Sequence, residues 1–418
     1  MLFKKRHVAS YLIAMALLNG VIAWRSRSGV SAALPDFASF YTAGRILQSG
    51  EANQLYNKDL QEHVQRWFAA SAVEKRKAIL PYNHPPFEAL LFAPLAKFSF
   101  ISAYLVWLAF NLGLVCGLVL LLYNKFAFAR ELPFYFSLLA FIGFYPVVIA
   151  LLQGQDSILV LFCYFMAFLG MRRGSDFYAG LWLSVALCKF QLVVPFVFPL
   201  FLARRCRLIA GWLAGGSLLC IVGLLVVGWK GLLSYPGYVS GTEQFIWGGM
   251  PNLRGITFAL VPRGLPRTRL ACLILGSAML LSAMCYAWLK ASKDSMKLAF
   301  ALSLVGTVLL SYHLYLHDLS LVLLSVAIVF EVLWESSSRD RWIANCIFAC
   351  TALLFCSPTY LLLSLATPQR LQLLAVVLLL FLTLVLKLIF RGSSASPTES
   401  SVDRGLAVNR NLEGFPSL

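Results

Sequence analysis

Long apolar runs, each close to the length of a bilayer crossing and parted by short basic loops, restrict this chain more than any other feature. A helix needs about 20 mostly apolar residues to cross roughly 30 Å of hydrocarbon. In lipid, every backbone N–H and C=O must also be paired internally. The expected fold class is therefore an all-α polytopic membrane protein. Composition agrees: 13% of the residues are charged, against about 25% in an ordinary soluble domain. The net charge of +17 does not point to nucleic acid, because the Lys and Arg lie mostly between the apolar runs, where they meet anionic headgroups. Most of the ten cysteines fall inside those runs, with no CxxC and no zinc-ligand spacing. They read as small hydrophobes rather than disulfide or metal ligands.

The first span runs from about Val8 to Trp24 behind Lys4, Lys5 and Arg6, and Arg25 follows where a signal peptide would have small residues. It is expected to be an uncleaved anchor with its N-terminus in the cytoplasm. Further spans are expected near 100–123, 134–151, 157–171, 206–228, 269–290, 296–311, 314–334, 342–364 and 369–390. The stretch 176–203 is long for one span and short for two, and its centre is Leu187-Cys188-Lys189-Phe190-Gln191. It reads as a broken or hairpin segment meeting at Lys189. With that segment leaving and returning to one side, Lys125, Arg130, Arg172, Arg173 and Arg204 all fall in cytoplasmic loops, as the positive-inside rule requires. The expectation is about twelve helices in one transmembrane domain, 1–390, with both termini cytoplasmic. A long first outer loop, 25–85, carries juxtamembrane helices, and a second spans 229–268. A polar tail, 391–418, is expected to be disordered.

This layout gathers the unusual polar residues on the outer face: Asp36; His84 in Tyr82-Asn83-His84-Pro85-Pro86; Gln155 and Asp156; Lys189 and Gln191; Asn252 and Arg254; and His313, His317 and Asp318. Ionisable groups at membrane depth are costly and by default mark a site. Each also has a plain structural reading. Asp36 and Asp156 precede apolar helices as an N-cap does. His84-Pro-Pro makes a rigid return to the membrane, and Arg254 suits a headgroup contact. His313 and His317, four apart, would share a helix face. Lys189 is harder to dismiss, since an ammonium between apolar half-helices needs an anionic partner, a lipid phosphate or a carboxylate. Phe37, Phe40, Tyr41, Tyr82 and Trp247 are candidates to stack on sugars, although interfacial aromatic residues are also ordinary membrane anchors.

The runs DFASFYTAGRILQSGEANQLYN, YNHPPFEALLFAPLA, GQDSILVLF, AGLWLSVALCKFQLVVPFVFPLFL, PNLRGI and SYHLYLHDLSLVLL, in that order over roughly residues 8–390, together resemble glycosyltransferase family 87. The resemblance implies a GT-C type architecture and a polyprenyl-phosphate sugar donor, typically mannose. It implies a first-loop general base, which falls on Asp36, and donor contacts from Lys189, His313 and His317. Where the family commonly has Lys-Pro, this chain has Lys189-Phe190.

The chemistry fits. A carboxylate takes the proton from an acceptor hydroxyl of a lipid or polysaccharide, while cations, Lys189 with Arg254 or His317, stabilise the departing phosphate. A single base without a covalent intermediate implies inversion. No cofactor and no obligatory divalent metal are expected, because the donor phosphate already has its cations in protein and no close second carboxylate accompanies Asp36. The expected setting is the plasma (inner) membrane of a bacterial cell, with the active site facing outward. The competing reading is a transporter or flippase of lipid-linked sugars, which would use a similar cavity without a base and would need access from both sides.

Overall fold

The computed structural model describes residues 5–242, 250–292, 295–335, 341–366 and 372–394. Among these, every regular element is helical and no strand occurs. The chain is a polytopic helical membrane protein. Among the described residues, seven helices are long and apolar enough to cross a bilayer, or up to nine if each of two bent helix pairs is taken as one crossing. The expected count of about twelve is not reached on this measure. One reason is that Ser157–Arg172 and Met296–Leu310 are short. Met296–Leu310 is buried along nearly its whole length, so protein neighbours rather than lipid thickness set its length.

The first helix, Lys5–Ser31, overshoots the expected end at Trp24. Nothing breaks it before Ala33, which adopts a left-handed φ of 54°, and Pro35. Arg27 stays within the helix and folds its guanidinium over the Trp24 ring, 3.7 Å from the centroid.

The first loop holds two further helices, Phe37–Gln48 and Lys58–Arg76. Asn57 caps the second by accepting from the Asp59 and Leu60 N–H groups. Their shared core is aromatic, with Phe37, Phe40 and Phe92 fully enclosed. Gly44 lets the first of them lie against the Phe92 backbone, since a Cβ there would sit 2.7 Å from the Phe92 carbonyl carbon.

Residues 176–202 are long enough to be one crossing, yet their two ends lie side by side. Arg205 Nη1 is 3.7 Å from Asp176 Oδ2. The arms Asp176–Val185 and Phe190–Leu202 are joined by a 3-10 turn, Ala186–Lys189, at whose end Lys189 leaves the helical region (φ −117°, ψ 66°). Arms of 10 and 13 residues rise about 15–20 Å at ~1.5 Å per residue, half a bilayer or a little more. The segment is an out-and-back hairpin with Lys189 at its tip. Helix Ser157–Arg172 runs beside it, with Ser157 at the tip, Tyr164 donating to the Leu192 carbonyl midway, and the Gly170 carbonyl accepting from Ser175 at the base.

The 206–228 span ends where expected, at a kink on Gly228 (φ 66°), but the chain continues helically to Thr242. Residues 243–249, including Trp247, lie outside the described residues. The last helix, Leu373–Ser394, carries past the expected start of the tail at Arg391, and residues 395–418 lie outside the described set.

Candidate active site

The site is built where the 134–153 segment turns. Phe134–Ile142 and Tyr145–Gln153 bend by 60° relative to each other. Gly154, in the left-handed conformation (φ 62°), then closes the second helix. The turn is pinned by Trp107, whose Nε1 donates to the Gly154 carbonyl at 2.9 Å. This fixes both flanking glutamines toward the first loop. Gln153 Oε1 accepts from the Asp36 N–H at 3.0 Å, and Gln155 Nε2 donates to Asp36 Oδ2 at 2.9 Å.

Asp36 stands at the N-cap position of Phe37–Gln48 but makes no side-chain capping bond. The plain structural reading of this residue therefore fails: its carboxylate turns away from its own helix and toward Gln155. Asp36 keeps part of its surface open. Burial raises its pKa above the ordinary carboxylate value, opposed by the Gln155 hydrogen bond and by the charges of Lys189 and Arg76.

From Gln155 the network passes to Lys189, which is 2% exposed. Its Nζ lies 2.6 Å from Asp318 Oδ1, 2.8 Å from Ser157 Oγ, 3.0 Å from Asp156 Oδ1 and 3.3 Å from Gln155 Oε1. The anionic partner that the lysine needs is thus supplied twice from within the chain. Asp156 also fails to cap the helix it precedes. Burial alone would raise its pKa, but Lys189 and then His84 hold it below the usual range.

Beyond Asp156 lies His84, whose Nδ1 is 2.9 Å from Glu88 Oε2 and 3.8 Å from Asp156 Oδ2. Burial pushes Glu88 up to about 7 against the pull of His84, with Asp156 adding to the rise.

The histidine turn closes the other side. Ser311 ends helix Met296–Leu310 with extended backbone, and the 3-10 turn Leu316–Leu321 begins only after Tyr315. His313 and His317 therefore do not share a helix face, contrary to their spacing. The Tyr315 ring stands 4.7 Å from one and 5.6 Å from the other. His317 Nε2 is 3.6 Å from Asp318 Oδ1, while burial lowers the His313 pKa to about 4. Asn252 and Arg254 hold this turn from below, with Asn252 Nδ2 donating to the Ser311 carbonyl and Arg254 Nη1 to the Tyr312 carbonyl, each at 2.6 Å. Asn252 also caps its own helix by accepting from Gly255 N–H.

The fold therefore joins Asp36, Gln155, Asp156, Lys189, Asp318, His84 and His317 through direct contacts, with Asn252 and Arg254 as supports. Gln191 is half-buried and stands outside this hydrogen-bonded set. Tyr41 is 2% exposed, bonds the Phe98 carbonyl and packs against Phe68 and Phe100. Phe37, Phe40 and Tyr82 are likewise enclosed. A ring must present a face to stack on a sugar, so these four are core.

Three participants escaped the sequence reading. Glu88 had a signal, its i+4 spacing from His84, and Ser157 had its adjacency to Asp156. Arg76, whose charge reaches Asp36 and whose Nη1 donates to the Leu34 carbonyl at 3.1 Å, had none.

Residues 82–315 match glycosyltransferase family 87. The matched stretch includes His84, Lys189, Arg254 and His313, and leaves Asp36, His317 and Asp318 outside it. No curated protein and no solved structure matches the chain. Since the match spans more than half of the 418 residues and falls on a helical membrane fold with a polar cluster at its centre, the protein is a member of glycosyltransferase family 87, a membrane glycosyltransferase that moves a sugar from a donor to an acceptor.

Proposed function

We propose that the protein transfers a hexose, mannose by family resemblance, from a polyprenyl-phosphate donor to a hydroxyl of a lipid or polysaccharide acceptor on the outer face of the membrane, with inversion and with Asp36 as general base. The observation that carries this reading is the Asp36 carboxylate. It sits at a helix start without capping it, belongs to a residue that is only partly buried, and is aimed by a side-chain hydrogen bond from Gln155. A base needs such an arrangement, oriented yet free to take a proton, with a pKa shifted toward the working pH.

The donor's phosphate is assigned to the side bounded by His313, His317 and Arg254, with Arg76 as a further cation near Asp36. Lys189 holds Asp156 and Asp318 in place beneath it, so its part in phosphate binding runs through that cluster. As sugar transfer begins, the acceptor hydroxyl hydrogen-bonds to Asp36, its oxygen attacks the anomeric carbon, the bond to the phosphate oxygen breaks, and the proton ends on Asp36.

The test is transfer from radiolabelled polyprenyl-phosphate-mannose to membrane glycolipid acceptors by the purified protein in nanodiscs. Wild type transfers label. Asp36→Asn and Asp36→Ala lose about 10²–10⁴-fold in kcat while still binding donor. Full activity in both variants would remove Asp36 as the base. Movement of labelled lipid between leaflets without transfer would establish the flippase reading instead.

A further inference from the structure

We propose that His84, Glu88 and Asp156 form a binding site for one divalent cation of the Mn²⁺ or Zn²⁺ kind. Each residue offers a ligand atom, and the three atoms lie within 4.8 Å of one another. His84 Nδ1 is 2.9 Å from Glu88 Oε2 and 3.8 Å from Asp156 Oδ2. Ion–ligand bonds of about 2.0–2.2 Å put neighbouring ligands of one ion at comparable separations, so small side-chain adjustments suffice. The side chains of Glu88 and Asp156 are 1% and 0% exposed, and that of His84 is 15% exposed.

Two further observations point to a cation. Glu88 Oε1 and Asp156 Oδ2 are buried with no N–H or O–H donor on them, and the two carboxyl groups lie close enough to each other that a proton or a cation must stand between them. Carboxylate oxygens in that state are strongly disfavoured unless something positive meets them. The charge balance is also open. Asp156 and Asp318 already share the one ammonium of Lys189, so a dication between Glu88 and Asp156 would offset negative charge that Lys189 alone does not meet. One imidazole nitrogen with two carboxylate oxygens suits Mn²⁺ or Zn²⁺ better than Mg²⁺ or Ca²⁺, which prefer oxygen alone.

The loop is stiff enough to hold such a site. Pro85 and Pro86 separate His84 from Glu88, Tyr56 donates to the His84 carbonyl at 2.8 Å, and Tyr82 donates to the Pro85 carbonyl at 3.0 Å. The bound ion would tie the first loop to the 153–156 turn and add positive charge beside Lys189. The expectation of no obligatory metal rested on the donor phosphate having its cations in protein and on the lack of a second carboxylate close to Asp36; this trio assembles around Asp156 instead.

The experiment uses the full chain in nanodiscs, stripped with a chelator and titrated with MnCl₂ while free Mn²⁺ is followed by electron paramagnetic resonance. It does not depend on sugar transfer, so its failure and that of the proposed reaction are separable. Wild type should take up one Mn²⁺ per chain, displaced by Zn²⁺. Glu88→Gln, close in volume, and His84→Ala should each weaken binding by more than about tenfold. His63→Ala, on an exposed stretch of the first loop, should bind as wild type. Thermal melts would verify that each variant is folded, and Glu88→Asp should restore measurable binding. No saturable site in wild type, or unchanged affinity in both Glu88→Gln and His84→Ala, would overturn the proposal and leave a shared proton as what holds the His84–Glu88 pair together.

Discussion

Asp36 and Asp156 occupy the same kind of place, the residue before an apolar helix, and neither uses its side chain to cap that helix. Their surroundings then diverge. Asp36 is only partly buried and accepts a side-chain hydrogen bond from a neutral amide. Asp156 is wholly enclosed, with an ammonium 3.0 Å from one oxygen and a histidine ring facing the other. The pKa shifts follow: raised for Asp36, lowered for Asp156. On the proposed reading, one carboxylate exchanges a proton and the other holds charge. An aspartate at a helix start that declines to cap is thus informative, but only its partners tell which role it takes.

Exchanging the charges should separate the two regions. The largest effect is expected from Asp36→Asn, with the rate loss given above and little change in thermal unfolding. Lys189→Met should do the reverse in kind. It leaves Asp156 and Asp318 buried without their cation, and breaking such a group costs about 3–5 kcal/mol. A large fall in unfolding temperature, partly recovered by adding Asp318→Asn, would support this. Unchanged melting would mean that Lys189 is not holding the aspartates.

Gln155→Leu tests the link between the regions. A hydrogen bond to a charged group contributes about 1.5–3 kcal/mol, so kcat should drop by roughly ten- to a hundredfold. The pH–rate profile sharpens the same point. Asp36 must be unprotonated to act, so activity should fall as pH drops through its raised pKa. Gln155 favours the charged form, so Gln155→Leu should move that acid limb to higher pH. Stability has the opposite sign. A carboxylate with a raised folded-state pKa binds its proton more tightly when folded, so its contribution is greatest in acid and is lost as pH rises through that pKa. An acid limb that does not move in Gln155→Leu would detach it from Asp36. The smallest effect is expected for Tyr41→Phe, which removes the bond to the Phe98 carbonyl at about 1 kcal/mol and leaves donor affinity unchanged. A clear loss of donor binding would return Tyr41 to the site.

Much of the fold was legible because hydropathy is a local property. The apolar runs located the membrane helices, and Lys189 between two of them marked the hairpin tip. The same reasoning misplaced ends wherever tertiary contacts rather than lipid thickness ruled. Lys5–Ser31 runs on beyond Trp24, and the helix that begins at Cys206 continues past its kink at Gly228 to Thr242. His313 and His317 were misjudged because periodicity assumes a helix, and residues 311–315 are not helical.

What the sequence determined by itself was the class of molecule, the polar residues that have no place in lipid, and the family they resemble. Each follows from residue type and spacing along the chain. Which of those residues meet was decided only by the tertiary structure. Gln155 reaching Asp36 across 119 positions and Lys189 reaching Asp318 across 129 are pairings of groups far apart in the chain. A buried charge takes whichever partner the packing brings within about 3 Å, and no pattern in the sequence records that distance.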